Sequence, residues 1–281
     1  MKEFDELVRL RHSVRNYNDE LLDETVVTAV KDILKLSEKV PFGSKVRFEL
    51  VDVSKSDYSH LRQLGTYGVI KNARWYIAGV LKYPVENHKN CMLDYGWGFE
   101  KSVLSLTDMN LGTCFLGGTL SRKTFGELVR IADDEVIPCV SPLGFSDEKP
   151  HLKEKMLRVF ASSAKRKAVK DLVFQDNDTR LIKSELADVL ELVRWAPSAS
   201  NKQPWRFRIA GNRVEFYLKR NPLYKKILAM TGAGDLQLID MGIAMYHFQK
   251  GYAQRGIEIK WDDKQILSPP SGVEFIKGCH I

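Results

Sequence analysis

Residues 93–103 read LDYGWGFEKSV and residues 239–249 read IDMGIAMYHFQ, two apolar helical stretches that share an Asp-x-Gly at Asp94–Gly96 and at Asp240–Gly242. The same succession precedes each. ILKLSEKVPFGSKVRFELV (33–51) and VLELVRWAPSASNKQPWRFRI (189–209) both run from an apolar helix into a proline, Pro41 or Pro197, then through a small-residue loop into a strand bearing Arg-Phe. Self-similarity in this order reads as two diverged copies of one helix-and-sheet unit. The expected fold class is α/β, more closely α+β: antiparallel or mixed sheets flanked by helices, the copies forming an internal pseudo-dimer. The polar connection FQDNDTR (174–180) separates a first half, 1–173, from a shorter second half, 174–281.

The remaining elements follow from local pattern. FDELVRL puts Phe4, Leu7 and Val8 on one helical face, and Asp23 supplies an N-cap for ETVVTAVKDILKLS. VRFELVDV (46–53) and ARWYIAGVL (73–81) are short and rich in β-branched and aromatic residues, as strands are. A long helix is predicted over 89–110, stopping near Gly112, then a strand TCFL (113–116) and a helix RKTFGELVRIA capped by Ser121. EVIPCVSPLGF (135–145) reads as one buried strand whose proline marks an edge or a bend. In the second half a helix (184–195) ends ahead of Pro197, Gly211-Asn212 signals a hairpin between RFRIA and RVEFYL, and a long helix ending near Gly256 precedes the strand IEIKW (257–261).

Composition bounds the function. With 281 residues, 44% hydrophobic and 28% charged, the chain is an ordinary globular one with a sizeable core. The 43 Lys and Arg against 36 Asp and Glu leave a charge of +7, which favours anionic partners. The N-terminal MKEFDELVRLRHSVR lacks an apolar core of signal-peptide length and no run is long enough to span a membrane, so a soluble, cytoplasmic protein is expected. Cys91, Cys114, Cys139 and Cys279 lack CxxC spacing, and His88, His151 and His247 lack metal spacing, so no metal site is expected. A Rossmann dehydrogenase and a P-loop enzyme are disfavoured, because neither GxGxxG nor a Walker loop is present.

Four motifs remain, in order: LRHSVRNY (10–17), LGTCFLGG (111–118), PLGF (142–145) followed by AKRKAVKDLV (164–173), and APSASNKQPW (196–205). Together they resemble the nitroreductase family of FMN-dependent oxidoreductases, in a variant with both subunits of the usual homodimer fused, from about Leu10 to about Trp261. The resemblance implies NADH or NADPH as reductant and a small-molecule acceptor, such as a nitroaromatic or quinone, with the flavin carrying the chemistry and no catalytic side chain assigned. It places Arg11, His12, Ser13 and Arg15 on the flavin phosphate and ribityl chain, and Arg166 as completion of that clamp. Arginine forks suit phosphate because they give paired, charge-assisted hydrogen bonds. Leu116, Gly117 and Gly118 are implied against the ring, and Pro197, Ser198, Ala199, Ser200 and Asn201 along its edge from the other half. The family's polar flavin contact near TYGVIKNA has only Thr66 and Gly68 here. One FMN per chain is expected, since only one inter-half cleft receives both RHSVR and the longer loop, in a monomeric pseudo-dimer or a homodimer.

Plainer readings of the same residues stay open: surface ion pairs for Arg11 and Arg15, a solvated face for KRK, a turn at Gly117-Gly118, and an irregular helix-to-strand connection at 197–203. Two other function classes stay open as well. One is a non-catalytic flavin or metabolite carrier or sensor, which the unequal copies permit. The other is a basic nucleic-acid-binding protein using HLKEKMLRVFASSAKRKAVK (151–170); the positive excess is spread along the chain without a nucleic-acid motif, so no nucleic-acid partner is expected.

Overall fold

The computed structural model describes residues 2–53, 64–66, 68–83, 87–147, 165–174, 184–222, 234–266 and 268–281. The basic run 151–164, His151 with it, and 175–180 of the polar connection lie outside the described residues. The first half comprises α1 (Phe4–Leu10), α2 (Glu24–Ser37), β1 (Val46–Asp52), β2 (Trp75–Lys82), α3 (His88–Asp108), β3 (Gly112–Thr113), α4 (Arg122–Val129), β4 (Glu135–Val136), β5 (Val140–Gly144) and the single turn α5 (Val169–Leu172). The second comprises α6 (Ser184–Arg194), a 3-10 turn (Ala199–Asn201), β6 (Trp205–Ala210), β7 (Arg213–Leu218), α7 (Leu236–Ala253), β8 (Trp261–Asp262) and β9 (Glu274–His280). Caps fall where the side chains dictate: Asp23 accepts the Val26 N–H at 2.8 Å, and Ser121 accepts the Thr124 N–H at 3.3 Å.

Two antiparallel sheets share one strand plan. The first runs β1-β2-β5-β3, with β4 beside β2, and the second β6-β7-β9-β8. In both, two consecutive strands pair, a long helix follows, and the last strand inserts between the second and the short third. The Gly211-Asn212 hairpin closes with Ala210 opposite Arg213, and Gly211 takes φ +60.

Three local expectations need correction. EVIPCVSPLGF is two strands, broken at Pro138, while Pro142 lies inside the interior strand β5 opposite Tyr76. Proline has no N–H for a ladder. β3 accordingly pairs with Gly144 and Leu143 and goes no further, the Cys114 N–H donates to Ser141 Oγ at 2.9 Å, and Leu116 rejoins the sheet as a lone bridge to Val140. That is why TCFL is not a strand. IEIKW contributes only Trp261 to β8, and α3 turns out at Asn110, with φ 59, before Gly112 opens β3. The interior strand β9 escaped sequence reading, because Lys277 and Gly278 interrupt its apolar alternation.

The two halves meet where α3 crosses α7. Every residue of α7 from Gln237 to Phe248 is buried, which marks a central helix rather than a surface one. A β-carbon on Gly96 would overlap the Ile239 carbonyl oxygen, and one on Gly242 would overlap the Leu93 carbonyl oxygen. The two backbones therefore touch reciprocally. Beside each glycine, a buried aspartate reaches back to the loop of its own half: Asp94 accepts the N–H groups of Phe42 and Ser44, both at 2.9 Å, and Asp240 accepts that of Ala199 at 2.9 Å.

Gly96→Ala and Gly242→Ala are each expected to lower unfolding free energy by about 1–3 kcal/mol or more, since the added carbon forces the helices apart. Gly118→Ala, with nothing within 4 Å of the new carbon, should change it by less than about 0.5 kcal/mol. Chemical denaturation of the three variants decides; equal stabilities would show that the crossing is not tight.

Candidate functional site

Arg11 is the first residue past α1, and the chain then runs extended alongside β3. The Val14 N–H donates to Thr113 O at 2.9 Å and Ser13 forms a parallel bridge with Thr113, so the first two motifs lie side by side. Val14 and Tyr17 turn into the core. Ser13 hydrogen-bonds the buried Cys114 thiol, which Arg15 and Arg11 also face; burial nevertheless pushes that thiol up. His12 is exposed, with Nδ1 3.0 Å from Leu10 O.

Arg166 arrives from far along the chain. Its guanidinium donates to Asn201 Oδ1 and, at 3.3 Å, to Trp195 O, and lies 5.8 Å from the centre of the Trp195 ring. Burial pushes it down to about 10, and the neighbouring cations Arg11 and Arg194 add to that push. It stays charged near neutrality. Burial likewise lowers Arg11, against the pull of Glu100 and Cys114, and its Nε has no hydrogen-bond partner among the described residues. Two arginines separated by over 150 residues thus face one another in a desolvated place, a demand for an anion.

The 197–203 loop is tightly built. Ser198 Oγ accepts the Gln203 N–H at 2.9 Å, while Gln203 Nε2 donates to Lys165 O at 3.3 Å and Asn201 O at 3.1 Å. Gln203 Oε1 accepts the Lys167 N–H at 2.8 Å, and Asn201 Nδ2 donates to Lys165 O at 2.9 Å. The loop of the second half therefore grips the 165–167 segment of the first. Ser200, Asn201 and Gln203 take φ of 47, 53 and 48, a left-handed conformation that L side chains enter at a cost and that surrounding bonds must hold. Ser200 is exposed and Pro197 partly so. Within the loop, the Ala199 N–H donates to Asp240 Oδ1 at 2.9 Å and the Ser198 hydroxyl oxygen accepts the Gln203 N–H.

Near the glycine turn, Leu116 is buried and Gly118 is open to solvent. A β-carbon on Gly117 would press on Leu236, at the start of α7 in the other half. Arg122 locks the turn from below, donating to Gly117 O at 2.6 Å and Pro138 O at 3.0 Å. Thr66 is buried against Tyr76, at 3.2 Å between hydroxyls, and Gly68 takes φ +80 with open space at its Cα. Missed by sequence reading as site residues were Arg122, Trp195, Gln203 and Lys167; Gln203 and Lys167 lie within the motifs and Trp195 beside one, whereas Arg122 gave no signal beyond its helix. Among the described residues no group of acidic, histidine and cysteine side chains could hold a metal, and no helix is long and apolar enough to cross a membrane.

Known proteins bear on this arrangement. A family model described as "Putative TM nitroreductase" matches residues 3–252. The crystal structure of "a putative nitroreductase" from Thermotoga maritima superposes with a TM-score of 0.63 at 18% identity, covering 99% of this chain and 94% of that one, a likeness of fold. An FMN-dependent nitroreductase from Clostridium difficile covers 51% of this chain and 87% of its own (22% identity, TM-score 0.40). A nitroreductase family protein from Clostridium novyi covers 53% and 88% (20%, 0.44). No curated protein matches the chain.

Among the lysines here, Lys167 is held down at about 8, by burial first and then by Arg206. At pH 8 roughly half of its amines are neutral, against on the order of 0.4% for an ordinary lysine near 10.4. Brief acylation at pH 8 followed by peptide mass analysis should therefore find Lys167 modified before the exposed Lys202. Equal rates would mean that its surroundings do not act as described.

Proposed function

Since the chain belongs to the nitroreductase family, we propose that it is an FMN-dependent oxidoreductase whose two halves hold one flavin between them. The observation that carries this reading is the meeting of Arg11, Arg166 and Asn201, which draws the N-terminal block, the 165–167 segment and the second half's loop to one place. An orphaned guanidinium nitrogen on Arg11 and two facing, desolvated arginines fit a phosphate. The open backbone at Gly118 and the strained Ser200–Gln203 loop fit the close approach of a flat polar ring.

In this reading Arg11, Ser13, Arg15 and Arg166 hold the phosphate end, with His12 at the flank, while Leu116, Gly117, Gly118 and the loop Pro197-Ser198-Ala199-Ser200-Asn201 line the ring. When bound, FMN supplies two-electron chemistry, taking hydride from NADH or NADPH and passing electrons to a nitroaromatic, a quinone or a related acceptor in alternate half-reactions. The chain supplies position and charge. Asp240 and Gln203 fix the loop before a ligand arrives, and Arg122 fixes the glycine turn, so little reorganisation accompanies binding. The cations are already oriented, so they stabilise a build-up of negative charge without the reorganisation that water would need.

The two halves are read as a duplication that kept a single site. The first half's own loop, Phe42 to Ser44, is tethered by Asp94 as the second half's loop is by Asp240. There, however, Lys277 lies 4.5 Å over the Phe42 ring and donates to both oxygens of Asp263 at 2.8 Å, so an internal ion pair satisfies the cation.

Flavin titration should saturate at one FMN per chain. Arg11→Ala with Arg15→Ala should weaken FMN by about 10–100-fold more than riboflavin, the worth of one or two charge-assisted hydrogen bonds. Equal loss for both ligands would remove the arginines from the phosphate, and purified protein that takes up no flavin would end the reading. Flavin that binds yet does not bleach anaerobically with either nicotinamide would mark a carrier or sensor instead.

A further inference from the structure

The segment that delivers Arg166 has a second side. Arg166 faces Arg11 and Arg194, whereas the charges around the next residue, Lys167, are Arg206, Lys219, Lys202 and one carboxylate, Asp171. Adjacent side chains outside a helix commonly diverge in this way. The backbone explains the convergence: Gln203 holds the Lys167 amide, the Lys219 N–H donates to Pro204 O at 2.8 Å, and Val173 bridges Phe207.

These cations are handled unlike others in the chain. Arg47 and Arg213 are given carboxylates, Glu135 at 2.8 Å and Asp262 at 2.6 Å. Arg206 is only 8% exposed, yet its hydrogen bonds, to Gln203 O at 2.9 Å and Trp205 O at 2.6 Å, go to neutral carbonyls from one nitrogen, Nη1. Among the described residues, none of Lys167, Lys202, Arg206 and Lys219 makes an ion pair, and Asp171 acts on Lys167 and Arg206 without pairing to either. Burial pushes Arg206 down as well. Among the described residues, four gathered cations with one carboxylate paired to none of them leave about three positive charges uncompensated, which suits a dianion.

We propose that Lys167, Lys202, Arg206 and Lys219 form a second anion site, apart from the Arg11–Arg166 cluster, that binds a phosphate monoester. A phosphate monoester carries close to two negative charges above its second pKa near 6. Two sources share this chemistry: free phosphate, and the ribose phosphate that distinguishes NADPH from NADH. Only the second rests on the flavin reading.

Calorimetric titration of the full chain as isolated, with inorganic phosphate, NADP+ and NAD+, tests the site in the wild type and in Lys167→Met/Lys219→Met. The wild type should bind phosphate, more weakly at pH 9 than at pH 7 as Lys167 loses its proton among Arg206, Lys219, Lys202 and Asp171. The double variant should bind it at least ten-fold more weakly at pH 7. NADP+ binding at least ten-fold tighter than NAD+, with the preference lost in the variant, supports the reductant as source; phosphate binding without that preference supports free phosphate. If the double variant does not fold, Lys219→Met, at an exposed position, should still weaken phosphate at least three-fold. Wild type that binds neither phosphate nor NADP+ preferentially, or variants that bind as the wild type does, overturn the site. So does a variant that loses FMN but not riboflavin, since the patch would then belong to the cofactor. Protein that takes up no flavin but shows the phosphate pattern would fail the flavin reading alone.

Discussion

The contact between Gly96 and the Ile239 backbone, mirrored by Gly242 against Leu93, fixes everything else in the molecule. Only because α3 and α7 touch backbone to backbone do the two sheets stand close enough for one half's loop to reach the other's 165–167 segment. Any side chain at either glycine would add a layer between the helices, and interiors packed at crystal-like density do not absorb such a layer. The neighbouring aspartates turn this crossing into a ruler. Each carboxylate is rooted in the helix interface and hydrogen-bonded to loop amides, so the position of a loop is set by the position of the helix. Burial pushes Asp240 well above its ordinary range and Asp94 upward too, which is the cost of using an acid as an interior strut.

The same interface carries a deeper polar contact. Glu100 on α3 and His247 on α7 are wholly buried, Nε2 to Oε1 at 2.8 Å, while His247 Nδ1 lies 3.0 Å from Leu192 O. A carbonyl only accepts, so Nδ1 donates to Leu192 O and Nε2 faces the Glu100 carboxyl. Glu100 also pulls electrostatically on Arg11. A buried pair of this kind is weak support for stability, because desolvation offsets much of its attraction. Its physical consequence lies elsewhere: it joins α3, α6 and α7 across the two halves with directional bonds, which apolar packing alone does not supply.

Much of this was legible in residues. The recurring Asp-x-Gly marked the two helices that cross, where glycine permits the backbone contact and the aspartate reaches back to a loop. The caps at Asp23 and Ser121 and the hairpin at Gly211-Asn212 were legible for the same reason: their chemistry is local. What stayed hidden was set by partners distant in sequence. β9 is interior despite Lys277 and Gly278, because Gly278 makes room for the Arg213 guanidinium and Lys277 finds Asp263 and Phe42. TCFL failed as a strand because of a proline on its neighbour, not in itself. At the candidate site, motif residues marked the region, while the part of Gln203, which ties the loop to the 165–167 segment, depends on partners distant in sequence.

Loop strain shows why those internal bonds are needed. Ser200, Asn201 and Gln203 all hold left-handed backbone, each at a cost of order 1–3 kcal/mol, so the sum exceeds what any one hydrogen bond returns. A free loop of this sequence would relax. It is held because its bonds are shared with elements fixed for other reasons: Asp240 by the helix crossing, Trp195 by the end of α6, and the 165–167 segment by the bridge of Val173 to β6. The first half's loop, with three residues fewer between its proline and its Arg-Phe strand, is tied by its amides to Asp94 and uses a glycine, Gly43 at φ +79, for its left-handed turn. The longer loop, stiffened against the opposite half, therefore differs from the shorter one through backbone geometry before any ligand-contacting side chain is considered.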